Sequence, residues 1–170
     1  VMGVLFILFY NFKRFGDPFE MGVQFHKMAA FFAADFEKYG LFNIHYLGTN
    51  LYYYLIYYPF PIKTAEWMMG GSLFLLSPLF FSIFFSFRDD SRKLSVLFLW
   101  ITTIAVSIPL LLLMGTGWVT FGPRYTLDLI VPLLLLTAIG LEKWSWKIIL
   151  LLTVVSCMHY IFGTYILGLL

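Results

Sequence analysis

At 170 residues, 61% hydrophobic and only 12% charged, with a mean hydropathy of +0.88, the chain carries more apolar side chain than a soluble domain of its size can hide. A formal net charge of +2 gives no support for nucleic-acid binding, which needs clustered Lys and Arg and a strongly basic balance. The single cysteine, Cys157, excludes an internal disulfide; in its apolar run it reads as a packed thiol. Lipid is the solvent that accommodates such a composition.

In chain order, Val1 to Tyr10 is apolar from the first residue, about half of the ~20 residues needed to cross a bilayer. It lacks the basic start and small-residue cleavage site of a signal peptide, so it is expected to be the end of a truncated span. Residues 11–66 are expected to form an extracytoplasmic, interfacial segment. Gly16, Asp17 and Pro18 mark a turn early in it. Val23 to Tyr39 shows helical periodicity, with Phe25, Met28, Ala29, Phe32 and Phe36 on one face and Gly40 as the cap. This amphipathic helix is too polar to span and suits the membrane surface. Between Tyr52 and Tyr58 lie five tyrosines, whose rings favour an apolar setting and whose hydroxyls favour water. Pro59 and Pro61 end any helix there.

Four spans are predicted beyond this point, at about 67–87, 94–114, 127–141 and 148–170. Pro78, Pro109 and Pro132 bend the first three. The third is short unless it begins within the preceding loop. The fold class is therefore all-α: a polytopic transmembrane helical bundle with an interfacial amphipathic helix, a fragment of a larger protein. Arg88, Arg92 and Lys93 occupy one short loop, and Lys143 and Lys147 another two spans away, against Arg124 alone in the loop between. Because basic loops stay inside, loops 88–93 and 142–147 are assigned to the cytoplasm, and 115–126 to the outside.

No glycine-rich phosphate loop, nucleophile elbow or Cys/His cluster is present, and no cofactor or metal set is evident. His26, His45 and His159 are scattered; His159 lies in a span, where a neutral histidine bonded to a neighbouring helix is the simplest expectation. Arg124 and Asp128, four apart, share a face if the helix begins by Arg124, and can pair. The other reading sends the planar guanidinium of Arg124 to an anionic group such as a lipid phosphate at the outer interface. Arg14 is either a snorkelling cation or a second such ligand.

Three stretches carry a resemblance: YNFKRFGDPFEMG (10–22), NIHYLGTNLYYYLIYYPFP (43–61) and FGPRYTLDLIVPLLLL (121–136). Their order and spacing resemble the C-terminal half of GT-C superfamily membrane glycosyltransferases, in the group that includes dolichyl-phosphate-mannose–protein mannosyltransferases (glycosyltransferase family 39-like) and bacterial relatives acting on lipid-linked sugars. The resemblance implies a polyprenyl-phosphate sugar donor, transfer on the extracytoplasmic side, and residence in the plasma (inner) membrane of a prokaryote. It places the catalytic acid in a first outer loop of the missing N-terminal half, so Asp17 and Glu20, which match the later motif, are not assigned that role and no catalytic residue is named. Divalent-metal dependence varies in the superfamily and is left open. Arg124 and Tyr125, then Arg14, are the expected ligands of the donor phosphate. The partners implied are the bilayer, the donor lipid and the missing half of the protein. A transporter or flippase, which should show repeated broken spans and mid-membrane ionisable groups, stays as an alternative, as does a non-catalytic membrane scaffold.

Overall fold

A computed structural model describes residues 2–20, 22, 30–60, 70–88, 90–116 and 121–169, without the side chains of 30–32, 90 and 166–169. Among these residues the regular structure is helical, apart from one isolated antiparallel bridge between Phe42 and Leu113. The chain divides into two compact units, Val1–Lys38 and Tyr39–Leu170.

In the first unit, helix α1 (Met2–Phe15) runs five residues past the expected end of the apolar stretch. Gly16 stops it: its φ of +80° is a conformation that favours glycine, and its N–H bonds the Phe12 carbonyl at 2.9 Å. Asp17 then accepts from the Phe19 N–H at 2.8 Å, which closes the predicted turn. Helix α2 (Ala30–Tyr39) is the described part of the amphipathic helix, and Gly40, at φ +74°, is its cap. The first half of that helix, 23–29, lies outside the described residues.

The second unit begins with α3 (Leu47–Leu51), which widens into a π turn over Tyr52–Ile56 and stops three residues before Pro59. Two of its five tyrosines do not stand wet at an interface: Tyr54 and Tyr57 are 5% and 6% exposed and face the bundle. Pro61 and the start of the predicted 67–87 span lie outside the described residues. The rest of that span is not a continuous α-helix. Helix α4 (Leu73–Leu76) breaks at Ser77, and Pro78–Arg88 winds as a 3₁₀ helix. Three residues per turn put i and i+3 on one row. Phe81, Phe84 and Phe87 form the exposed row, whereas Ile83 and Ser86 are buried in the next. The phenylalanine–serine pattern of this stretch fits a threefold screw, and the longer 3₁₀ rise stretches 11 residues to about 22 Å instead of about 17 Å.

Three helices are long and apolar enough to cross a membrane: Lys93–Leu112, Arg124–Leu141 and Trp146–Tyr165. The first is α5 (Lys93–Leu112) and the last belongs to α7 (Trp146–Leu169). The middle one starts as a 3₁₀ helix at Arg124–Leu129 and continues as α6 (Ile130–Leu141), so the short predicted span does begin inside the preceding loop. Six 3₁₀ residues and 12 α residues give it a length of about 30 Å, the thickness of a hydrocarbon layer. Pro132 sits in the first turn of α6, where a missing N–H costs little.

Helix α6 is the centre of the packing, with Leu133, Leu136 and Gly140 buried against Leu73, Ile83 and Val96. The closest approach is between Gly140 and Ser82: a Cβ at position 140 would overlap the Ser82 carbonyl oxygen. The Ser82 hydroxyl donates to the Thr137 carbonyl at 3.2 Å, one turn along the same contact. Small residues that let two backbones touch are the means by which helices associate where lipid removes the hydrophobic drive. Outward, Leu94, Phe98, Ile101, Ile104 and Ile108 form an exposed apolar stripe along α5 at helical spacing. Cys157, expected to be packed, is exposed on α7.

The two basic loops meet at one end of this unit. Arg92 forms an ion pair with Glu142; the Phe85 ring lies 5.7 Å from Trp144, and the Arg88 guanidinium sits 4.3 Å over the same phenyl ring. The ion pair is about half exposed and contributes at most about 1 kcal/mol, so it marks the neighbourhood rather than holding it.

Candidate functional site

At the other end of the helices, residues 41–50 cap α5. The last carbonyls of a helix have no partner within it. Here the Asn50 amide, 1% exposed, donates to the carbonyls of Leu111 (2.9 Å) and Leu113 (2.8 Å), with a longer contact to Leu110 (3.4 Å). The Asn43 N–H takes the Leu112 carbonyl at 2.9 Å, and the Met114 N–H returns to the Leu41 carbonyl at 2.8 Å. The Tyr-rich segment is thereby fixed to the end of α5. Ser72 fixes its far side: its hydroxyl donates to the Leu55 carbonyl at 2.7 Å and its N–H to the Tyr57 carbonyl at 2.8 Å.

These attachments border a cavity of about 450 Å³ that is half-open to the surface along Phe84, Ile104 and Ile108. Its walls come from the Tyr-rich segment (Tyr54), the broken helix (Phe74, Phe84), α5 (Trp100, Ile104) and the start of the Arg124–Leu141 helix (Thr126). Most lining groups are apolar, and the polar ones are nearly all spent. Trp100 donates to Ser86 Oγ, Thr103 to the Leu99 carbonyl, Ser107 to the Thr103 carbonyl and Thr126 to the Pro123 carbonyl. Tyr54 is the exception: its hydroxyl is buried and has no hydrogen-bond partner among the described residues. Burial, with the neighbouring Tyr125 phenol, pushes the Tyr54 hydroxyl well above the usual tyrosine range, so it stays a donor at any working pH.

The Phe121–Tyr125 stretch is shaped by α7. Phe121 packs edge-on against Tyr160 with centroids 5.7 Å apart, in a space that exists because residue 163 is glycine. Gly122, at φ +87°, turns the chain, and a Cβ there would press on the Tyr160 ring at 3.0 Å. Pro123 follows and the helix begins at Arg124. Arg124 is exposed and its guanidinium makes no hydrogen bond or ion pair among the described residues. The Arg124–Asp128 pair therefore does not form. In a 3₁₀ turn residues four apart point about 120° from each other, against about 40° in an α-helix. Tyr125 is half-buried, next to Thr126 of the cavity wall.

Arg14 belongs to the first unit, where it donates to the Tyr10 hydroxyl at 3.2 Å and lies 5.0 Å over the Phe15 ring. Asp17 and Glu20 are both used locally, Glu20 accepting from the Gly22 N–H at 2.6 Å. His159 bonds the Tyr58 hydroxyl through Nε2 at 2.8 Å, so its partner is the irregular chain after the π turn rather than a neighbouring helix. Among the described residues no three His, Cys, Asp or Glu side chains gather as a metal would require.

Asn50 and Tyr54 escape a reading of the sequence because both sit in a run whose aromatic content signals an interface. The one available sign is an amide four residues before a tyrosine in an otherwise apolar helical stretch, a pattern that places both on one face. Comparison with family models, with curated proteins and with solved structures finds no match to this chain.

Proposed function

We propose that the chain is the membrane portion of a glycosyltransferase that takes a sugar from a polyprenyl-phosphate donor on the extracytoplasmic side of a membrane. The observation that carries this reading is the apolar cavity of about 450 Å³ whose wall includes Thr126, two residues from Arg124, which is exposed and has no partner among the described residues. A polyprenyl tail needs an apolar channel between helices, and a departing phosphate needs a cation at its mouth. In the transfer, the bond between the sugar anomeric carbon and the phosphate oxygen breaks as the acceptor oxygen bonds that carbon. The acceptor proton goes to a base, and polyprenyl phosphate leaves with the additional negative charge. Arg124 offers a planar fork of donors to that charge, and Tyr125 flanks it. The base belongs to the outer loop that precedes the corresponding region in such enzymes, which accords with Asp17 and Glu20 being tied into turns. The exposed apolar stripes of α5 and α7 are the surfaces that lipid covers.

Two measurements test this. The full-length parent protein, purified in detergent, is incubated with radiolabelled polyprenyl-phosphate sugars and a lipid and protein acceptor extract. Arg124→Ala is expected to lower transfer by about 10²-fold, the scale of losing one preorganised charge-stabilising group, with insertion unchanged. Normal donor kinetics in that variant would remove Arg124 from the site.

The second concerns orientation, which rests on the basic loops lying together at one end. In a Cys157→Ser background, Ser145→Cys is expected to react with a membrane-impermeant thiol reagent from the cytoplasmic side only, and Asp128→Cys from outside only. The reverse pattern would invert the topology and move the cavity mouth to the cytoplasm.

A further inference from the structure

Tyr54 carries the one polar atom of the cavity wall that the protein leaves unsatisfied among the described residues. Its residue is 5% exposed, so no bulk water serves the hydroxyl. A buried donor left unpaired costs about 1–3 kcal/mol, so such a group calls for a partner from outside the chain. The other hydroxyls and the indole N–H along the wall have all been given to protein acceptors. A pure hydrocarbon chain would leave Tyr54 as it is. An occupant with an oxygen acceptor at that wall would complete it.

The position of Tyr54 indicates which end of the occupant it meets. It stands in the segment that Asn50 anchors to the end of α5, at the same end of the bundle as the start of the Arg124–Leu141 helix. The Tyr125 phenol is close enough to act on it electrostatically. Tyr125 adjoins Arg124 in the chain, and Thr126 after it shares the cavity wall with Tyr54, so Tyr54 lies at the same end of the cavity as the start of that helix.

Resting on the donor-lipid reading above, we propose that Tyr54 is a donor-binding residue: its hydroxyl donates to a phosphate oxygen of the polyprenyl-phosphate lipid, on the cavity side of the group that Arg124 meets from outside. A neutral phenol suits this role. It adds no positive charge that would hold the released polyprenyl phosphate, and it gains strength as the phosphate acquires charge during transfer.

The test compares retention of polyprenyl phosphate with retention of the corresponding polyprenol, by native mass spectrometry of the intact protein, in wild type and Tyr54→Phe. The substitution removes one oxygen and keeps the ring, so packing is preserved. A hydrogen bond to a charged acceptor is worth about ten- to a hundredfold in affinity, and one to a neutral hydroxyl much less. The preference for phosphate over alcohol is therefore expected to fall at least tenfold in Tyr54→Phe, with polyprenol retention almost unchanged. An unchanged preference overturns the assignment of Tyr54 while leaving the donor reading standing. Equal loss of both lipids also overturns it, because it would mark Tyr54 as part of the cavity's shape. A wild-type protein that retains neither lipid overturns the donor reading itself, and the role of Tyr54 with it.

Discussion

Replacing Gly140 with alanine is expected to destabilise the helix packing severely, and replacing it with valine to prevent it. The Cβ itself is the obstacle. It would fall on the carbonyl oxygen of Ser82, a backbone atom that cannot rotate aside. Overpacking costs about 1–3 kcal/mol where side chains can yield, so a backbone collision here should cost about 3 kcal/mol or more. Separating the two helices would also break the Ser82–Thr137 hydrogen bond and strip contacts from Ile83 and Leu136. The measurement is thermal unfolding in detergent, with size-exclusion profiles before and after heating. Ser82→Gly should not rescue Gly140→Ala, since the offending atom is not in the side chain. A Gly140→Ala protein with wild-type unfolding would mean that the 78–88 helix can withdraw without penalty.

The second large effect is expected at Asn50. Asn50→Leu preserves volume and removes the donor, leaving the carbonyls of Leu110, Leu111 and Leu113 without their side-chain partner. With about 1–3 kcal/mol for each buried group left unsatisfied, the two short bonds to Leu111 and Leu113 give a loss of about 2–6 kcal/mol. Asn50→Asp should be worse at neutral pH, because it sets a carboxylate against carbonyl oxygens. It should recover in part as the pH falls, since burial against acceptors raises the folded-state pKa of that carboxyl and the protonated form has one O–H to donate. Urea or heat denaturation in detergent across pH 4–8 reads both effects. If Asn50→Leu unfolds as wild type does, the α5 terminus is satisfied by water instead.

The long apolar helices are legible because hydropathy and the charged loops bound them: α5 and α7 begin within two residues of the predicted spans. The segment 67–87 is not. Length and hydropathy do not distinguish an α-helix from a 3₁₀ helix, and the distinguishing marks are Pro78 and the threefold recurrence of Phe81, Phe84 and Phe87. The site is legible in part. The helix does start at Arg124, as the spacing allows, yet the 3₁₀ turn separates Arg124 from Asp128 and leaves the guanidinium without a partner among the described residues. Composition assigns the tyrosines to a wet boundary. It does not say which rings turn inward, and that depends on Asn50 and Ser72 pinning the segment from both sides.

The Asn50 bracket also sets an order of events during synthesis. Asn50 leaves the ribosome 60 residues before Leu110, the first of the carbonyls it serves. At about 5–20 residues per second the tyrosine-rich segment waits roughly 3–12 s for its partner to be made. Through that interval its amide depends on water for hydrogen bonds. Assembly of this end of the protein is thus a late step that cannot precede α5, and a chain released before residue 113 would lack both the Leu113 acceptor of Asn50 and the cavity wall that Thr126, Leu129 and Leu133 supply.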